Sequence, residues 1–255
     1  MVSYKVMVKD VIKQSDIVLE VVDARFPDET RNSEVERDVQ RAGIPLIIVL
    51  NKCDLVPKET LEELKKRFSE TAPTVYVSSK TRVGTTKLRH KILAVANKNK
   101  GDIMVGSLGY PNTGKSSVIN AVSGGRKAPT SSISGHTKGV QLIKGGSRIK
   151  FIDTPGVIPF GEDDENIQGL LSVKDPTHLG DPVEVASKII ERMCTDNKAA
   201  LEACYNVTIE DGLDSYDILE LIAKATNCLK QKGVVDERRT AVRIINEWQK
   251  GKLTI

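Results

Sequence analysis

Between an apolar run, Asp102-Ile-Met-Val-Gly-Ser-Leu108, and a stretch of helical spacing from Gly114 to about Val122, the chain carries Gly109-Tyr-Pro-Asn-Thr-Gly-Lys-Ser116. This segment fits G-x-x-x-x-G-K-[ST], and no other feature constrains the fold as much. Its glycines permit positive φ and close backbone approach, so successive N–H groups can wrap an anion. The start of the following helix adds a dipole that favours negative charge. Such a loop needs a strand to deliver it and a helix to receive it, which implies an alternating α/β fold. Lys115 is expected to reach the outer phosphates of a polyphosphate and Ser116 to ligate Mg²⁺, with Asn112, Thr113, Gly114 and Ser117 completing the cradle.

The remaining chain supports that alternation. β-branched runs at ~17–25, 44–50 and 74–77 read as strands. Helical spacing occurs at ~30–42, at 58–68 with Leu61, Leu64 and Phe68 on one side, and from Leu88 to Ala96. Strands at ~140–144 and ~148–152 flank Gly145-Gly146, a hairpin signal that predicts one antiparallel edge on a mostly parallel sheet. From about residue 177 the character changes: 183–194, 199–205, 215–231 and 237–250 all read as helices. The expected organisation is a nucleotide-binding domain over 1–176 and a small α-helical domain over 177–255.

Charge is unevenly distributed. The chain of 255 residues has a net charge of +4, yet residues 80–150 hold 14 basic side chains and one acidic, Asp102. A segment at +13 exceeds what one nucleotide requires, and its functional reading is a nucleic-acid footprint; the alternative is an ordinary solvated surface. Cys53, Cys194, Cys204 and Cys228 match no zinc spacing and are expected to be reduced thiols. The first residues lack the apolar core of a signal peptide and no run reaches membrane-spanning length, so the expected compartment is the cytoplasm, with no membrane partner.

Four short motifs accompany the phosphate loop. Asp153-Thr-Pro-Gly156 follows a strand in D-x-x-G form, so Asp153 can hold the Mg²⁺ shell, through water, and the Gly156 N–H can meet a γ-phosphate. Thr137, in Ser134-Gly-His-Thr-Lys138, is the candidate switch threonine that closes onto the metal. Asn51-Lys52-Cys53-Asp54 offers Asp54 as the acceptor pair for the N1–H and N2–H₂ donors of guanine. Adenine lacks that pair and would leave the carboxylate unmatched. Asn51 would hold the base and its neighbouring loop, and the Lys52 stem would cover the base face. In Ser78-Ser79-Lys80, the Ser79 N–H would point at the guanine O6.

The order of these motifs resembles that of the circularly permuted GTPases, in which the base-reading half precedes the phosphate loop. The chain is most similar to their RbgA/YlqF-type branch, which acts in large ribosomal subunit assembly. Asp23-Ala-Arg25-Phe-Pro27 matches that branch's D-A-R-x-P signature, and Ile244 to Lys252 is similar to the end of its helical domain. Two departures stand out: no F-P-G-H-M segment lies ahead of Val11, and the switch reads Ser-Gly-His-Thr where the family has P-G-x-T. The resemblance implies a P-loop NTPase fold with a circularly permuted G domain and a helical tail, binding GTP or GDP with Mg²⁺. It also implies a partner in the large ribosomal subunit, its precursor or rRNA; hydrolysis is expected to be slow unaided, and the protein is expected to be monomeric. Lys115, Thr137, Gly156 and Asn112 are the implied catalytic set. Asn112 matches the loop asparagine of potassium-activated GTPases, so K⁺ joins the expected cofactors.

Val157 stands where many GTPases carry a water-orienting glutamine, and His136 is the histidine nearest the switch. Other readings of the same motifs are a GTPase regulating tRNA modification and an ATP-dependent P-loop enzyme. Leaving Asp153–Gly156, the chain runs through Gly161–Glu165 into the helical tail, so a nucleotide-sensitive switch would pull directly on that tail.

Overall fold

Among the described residues, six strands form one sheet in the order β3-β2-β1-β4-β6-β5. The structure, a computed structural model, describes residues 4–96, 101–125, 141–145, 148–154, 169 and 175–255. The strands are β1 (Ile17–Asp23), β2 (Leu46–Asn51), β3 (Thr74–Tyr76), β4 (Ile103–Leu108), β5 (Gln141–Lys144) and β6 (Ile149–Asp153). All neighbours are parallel except β5 against β6, as the sequence predicts.

Every residue of β1 is buried, because helices cover both faces of the sheet at its centre. The alternation of the strand sorts its side chains. Ile17, Leu19 and Val21 pack with Leu88, Ile92, Val118, Ile119 and Val122, from α4 (Thr85–Val95) and α5 (Lys115–Ser123). Val18 packs on the other face with Val8, Val11, Ile12, Val35 and Val39, from α1 (Tyr4–Gln14) and α2 (Ser33–Arg41). Helix α3 (Lys58–Phe68) buries Leu61 and Phe68. Each apolar side chain so buried stabilises the fold by roughly 1.5–3 kcal/mol.

Helix α1 has no counterpart among the sequence-based expectations. Val8, Val11 and Ile12 fall at helical spacing and pack together on the face of α1 toward the sheet, a pattern the sequence reading passed over. Gly106 of β4 makes the close approach possible, since a Cβ there would lie 2.4 Å from Ser15 Oγ and 2.9 Å from Val11 Cγ1.

The chain divides into two compact units, Met1–Glu162 and Asp163–Ile255. The second contains α6 (Pro182–Tyr205), α7 (Ser215–Ala225) and α8 (Glu237–Gln249). Two helices expected at 183–194 and 199–205 join in α6 through Asn197, whose backbone is non-helical at φ −158°, ψ 70°. The helix expected over 215–231 stops at Ala225. Asn227 turns with φ 54°, and Leu229 bridges Val235 in antiparallel fashion. Trp248 and Ile245 of α8 are fully buried.

Candidate nucleotide site

Strand β1 leads to β2 on one side of the sheet, and β4 leads to β6 on the other. The crevice beyond the carboxyl ends of β1 and β4 is therefore a topological switch point, where open α/β sheets bind ligands. The phosphate-loop pattern follows β4 at this crevice. Gly109 has φ 142°, and a Cβ there would lie 2.4 Å from the Val21 carbonyl oxygen, so only glycine fits. Asn112 has φ 59° and Gly114 φ 94°. Thr113 is buried, and its Oγ1 donates to the Tyr110 carbonyl at 3.0 Å.

Lys115 opens α5, and its ammonium lies inside the loop, donating to the carbonyls of Gly109 at 3.0 Å and Tyr110 at 2.6 Å. Burial pushes this lysine down to about 8, against the opposing pull of Asp153. Ser116 Oγ donates to Asp153 Oδ2 at 2.7 Å. Asp153 is fully buried at the end of β6, and among the described residues no group of hydrogen-bond geometry meets its Oδ1. Burial raises the carboxyl, and the Ser116 hydroxyl and Lys115 ammonium lower it in turn. A buried carboxylate oxygen left over beside a serine hydroxyl is the donor set of a hard divalent cation, so these two residues fit Mg²⁺. Ser117 is half-buried in the first turn of α5.

The residues expected to read the base reach the same crevice from β2 and β3. Asn51 is 1% exposed; its Nδ2 donates to the Thr113 carbonyl at 2.8 Å, and its Oδ1 accepts the Ser79 N–H at 3.2 Å. One amide thus joins three of the predicted motifs. The Ser79 N–H, expected at the guanine O6, is directed to Asn51 in this structure. Cys53 N–H donates to the Val77 carbonyl at 3.1 Å, and Ser78 N–H to the Val83 carbonyl at 2.9 Å, which fixes the two loops side by side. Asp54 and Lys80 are exposed and Ser78 is buried. Burial pushes the Cys53 thiol up to about 11, so this cysteine remains protonated at neutral pH.

Sequence reasoning overlooked two groups. Asp23 was legible only as part of a signature, yet its carboxylate meets both Arg25 and Lys52, at 2.8 and 2.7 Å. Thr154 Oγ1 donates to the Ser107 carbonyl at 2.7 Å, tying the ends of β6 and β4 together. Thr137, Gly156, His136 and Val157 lie outside the described residues. Among the described residues, no cluster of histidine, cysteine and acidic side chains could hold a metal by itself, and no helix is long and apolar enough to cross a membrane.

The permuted strand order and the convergence of base loop, phosphate loop and Asp153 define a circularly permuted P-loop GTPase domain. A family model described as 50S ribosome-binding GTPase matches residues 104–207, and one described as elongation factor Tu GTP binding domain matches residues 2–101. An uncharacterized GTP-binding protein of Methanocaldococcus jannaschii is 42% identical over 254 residues, covering 99% of this chain and 66% of the relative. A guanine nucleotide-binding protein-like 3 homolog of Drosophila melanogaster is 35% identical over 279 residues, covering 96% of this chain and 46% of its own. The nuclear/nucleolar GTPase 2 of Oryza sativa is 35% identical over 249 residues, covering 95% and 46%. The chain therefore spans 46–66% of the length of these relatives. In fold, YlqF from T. maritima superposes with a TM-score of 0.64 at 22% identity, covering 98% of this chain and 95% of that one. In fold the chain is a circularly permuted GTPase domain like that of YlqF, and its relatives of 35–42% identity are GTP-binding proteins.

Proposed function

We propose that this protein binds GTP with Mg²⁺ and hydrolyses it as a switch in large ribosomal subunit assembly, in the cytoplasm. The observation that carries the reading is the Asn51 amide, which ties the phosphate loop at Thr113 to the base-reading loop at Ser79. Asp54 stands exposed beside it, with both carboxylate oxygens suited to the two donors on the guanine edge. An incoming triphosphate would offer the Lys115 ammonium better acceptors than the Gly109 and Tyr110 carbonyls it now meets. Ser116 and Asp153 would hold the metal, which supplies charge at the outer phosphates. Thr137 and Gly156 remain the proposed switch contacts, and Asn112 the proposed potassium ligand.

A ribosomal partner is supported by the nucleolar relatives, by the match to the 50S ribosome-binding GTPase family model, and by the +13 charge of residues 80–150. The chain leaving Asp153 continues into the second unit, so a switch at this point would pull on that unit through the covalent backbone. Competition of GTP, ATP and xanthosine triphosphate for the protein and for Asp54→Asn tests the guanine reading. We expect the variant to lose about 2–4 kcal/mol toward GTP and to gain xanthosine triphosphate. Cosedimentation with large ribosomal subunits in GTP and in GDP tests the partner. Unchanged GTP affinity in Asp54→Asn would overturn the first, and absence of binding in both nucleotide states the second.

A further inference from the structure

Asp23 ends β1 directly opposite Asn51 in the β1–β2 register and is 2% exposed. Each of its carboxylate oxygens meets more than one donor. Oδ1 accepts the Arg25 backbone N–H and Nε–H, each at 3.1 Å. Oδ2 accepts Arg25 Nη2 at 2.8 Å and pairs with Lys52 Nζ at 2.7 Å. Burial alone would push this carboxyl up; the Arg25 guanidinium and Lys52 ammonium outweigh it and hold it well below the usual carboxylate range. Asp23 is therefore ionised at neutral pH.

The pair with Arg25 would by itself satisfy a structural carboxylate. Arg25 is 1% exposed and supplies both a fork and a backbone donor. Drawing a second cation onto an already neutralised pair costs desolvation and repulsion between like charges. Lys52 is that cation, and it occupies the base-reading loop between Asn51 and Cys53. Its backbone is left-handed, at φ 62°, ψ 33°, a conformation that residues with a Cβ adopt reluctantly. The Nζ–Asp23 contact anchors this turn from the side-chain end. Ala24 N–H, next to Asp23, donates to the Asn51 carbonyl at 2.8 Å and anchors it from the other.

We propose that Asp23 is a positioning residue of the guanine site, holding Lys52 in the left-handed turn that sets Asn51 and Asp54 in their mutual placement. Asp23 itself does not touch the base; it acts through Lys52. The inference rests on the guanine reading of Asp54 and extends it to the residue that fixes the loop.

The experiment measures affinities for GDP and inosine diphosphate, which lacks the 2-amino donor. Unmutated protein is measured first, with ADP as control. If it does not prefer GDP to ADP, the functional reading fails and this inference fails with it. Given that preference, Asp23→Asn should weaken GDP about tenfold and bring the GDP:IDP ratio toward unity, because Asp54 no longer meets both donors together. Lys52→Met, which leaves the Asp23–Arg25 pair intact, should lower the ratio in the same way even if Asp23→Asn does not fold. Combined in one folded chain, the two changes should cost no more than the larger single effect. An unchanged GDP:IDP ratio in Lys52→Met would overturn the proposal, as would additive losses in the double variant.

Discussion

Asn51 Nδ2 and the Thr113 carbonyl lie 2.8 Å apart across 62 residues of sequence, and both residues are buried. A Cβ on Gly114 would come within 2.2 Å of the same Nδ2. The phosphate loop and base loop are thus clamped at one atom, with no space for a side chain between them.

Replacing Asn51 with alanine should leave the Thr113 carbonyl and Ser79 N–H without this partner and cost about 1–3 kcal/mol of stability. Asn51→Asp should cost more, because a carboxylate oxygen would then face a carbonyl oxygen. Both variants should lose GTP affinity. Chemical denaturation beside nucleotide titration checks the order, and an aspartate variant as stable as the native protein would refute the clamp.

Lys115 gives a pH signature. Its ammonium is held down to about 8 in the folded protein, against roughly 10.4 for an exposed lysine. Between those values the unfolded chain binds more protons, so this group makes the nucleotide-free protein more stable as pH rises through the window. Binding an anionic polyphosphate should restore the charged form, with proton uptake near pH 9. Calorimetry in two buffers of different ionisation enthalpy measures that uptake, which should vanish in Lys115→Met.

Asn112 carries the potassium expectation. Hydrolysis should be faster in KCl than in NaCl at equal ionic strength, and Asn112→Ala should abolish the difference. Equal rates in the two salts would remove potassium from the mechanism.

The packing of α1 on the sheet rests on a missing side chain. Gly106→Ala would place a methyl group against Ser15 Oγ and Val11 Cγ1, and should destabilise the protein by about 1–3 kcal/mol. A lower urea midpoint with an unchanged slope, the slope converting it to that free-energy loss, is the expected result.

Three arginines of α8, Arg238, Arg239 and Arg243, have different surroundings. Arg238 donates to the carbonyls of Thr177, Leu179 and Gly180, and Arg243 pairs with Glu247 at 3.5 Å. Arg239 is exposed, as are Lys230, Lys232 and Lys250. Reversing Arg239, Lys230 and Lys232 to glutamate should weaken binding to ribosomal particles and flatten its salt dependence, by roughly 0.7–0.9 in slope for each phosphate no longer neutralised. GTP affinity should be unchanged. Arg238→Ala should mainly lower stability.

The local sequence determined the elements and the order of the loops. Apolar runs such as Ile17–Asp23 and Leu46–Asn51 can satisfy their surroundings only as strands buried on both faces. The glycine spacing from Gly109 to Gly114 admits few backbones other than an anion-wrapping loop. What the sequence could not contain is which side chains meet once distant segments pack. Asp23 reads as one acid in a signature until β1 and β2 align it opposite Asn51 and within reach of Lys52. Helix α1 packs closely on β4 only because Gly106 carries no side chain, and the helix expected over 215–231 ends at Ala225, with Leu229 bridging Val235 beyond it. Propensity and pattern act over a few residues, whereas pairing, burial and charge sharing are decided between residues that only the tertiary fold brings together.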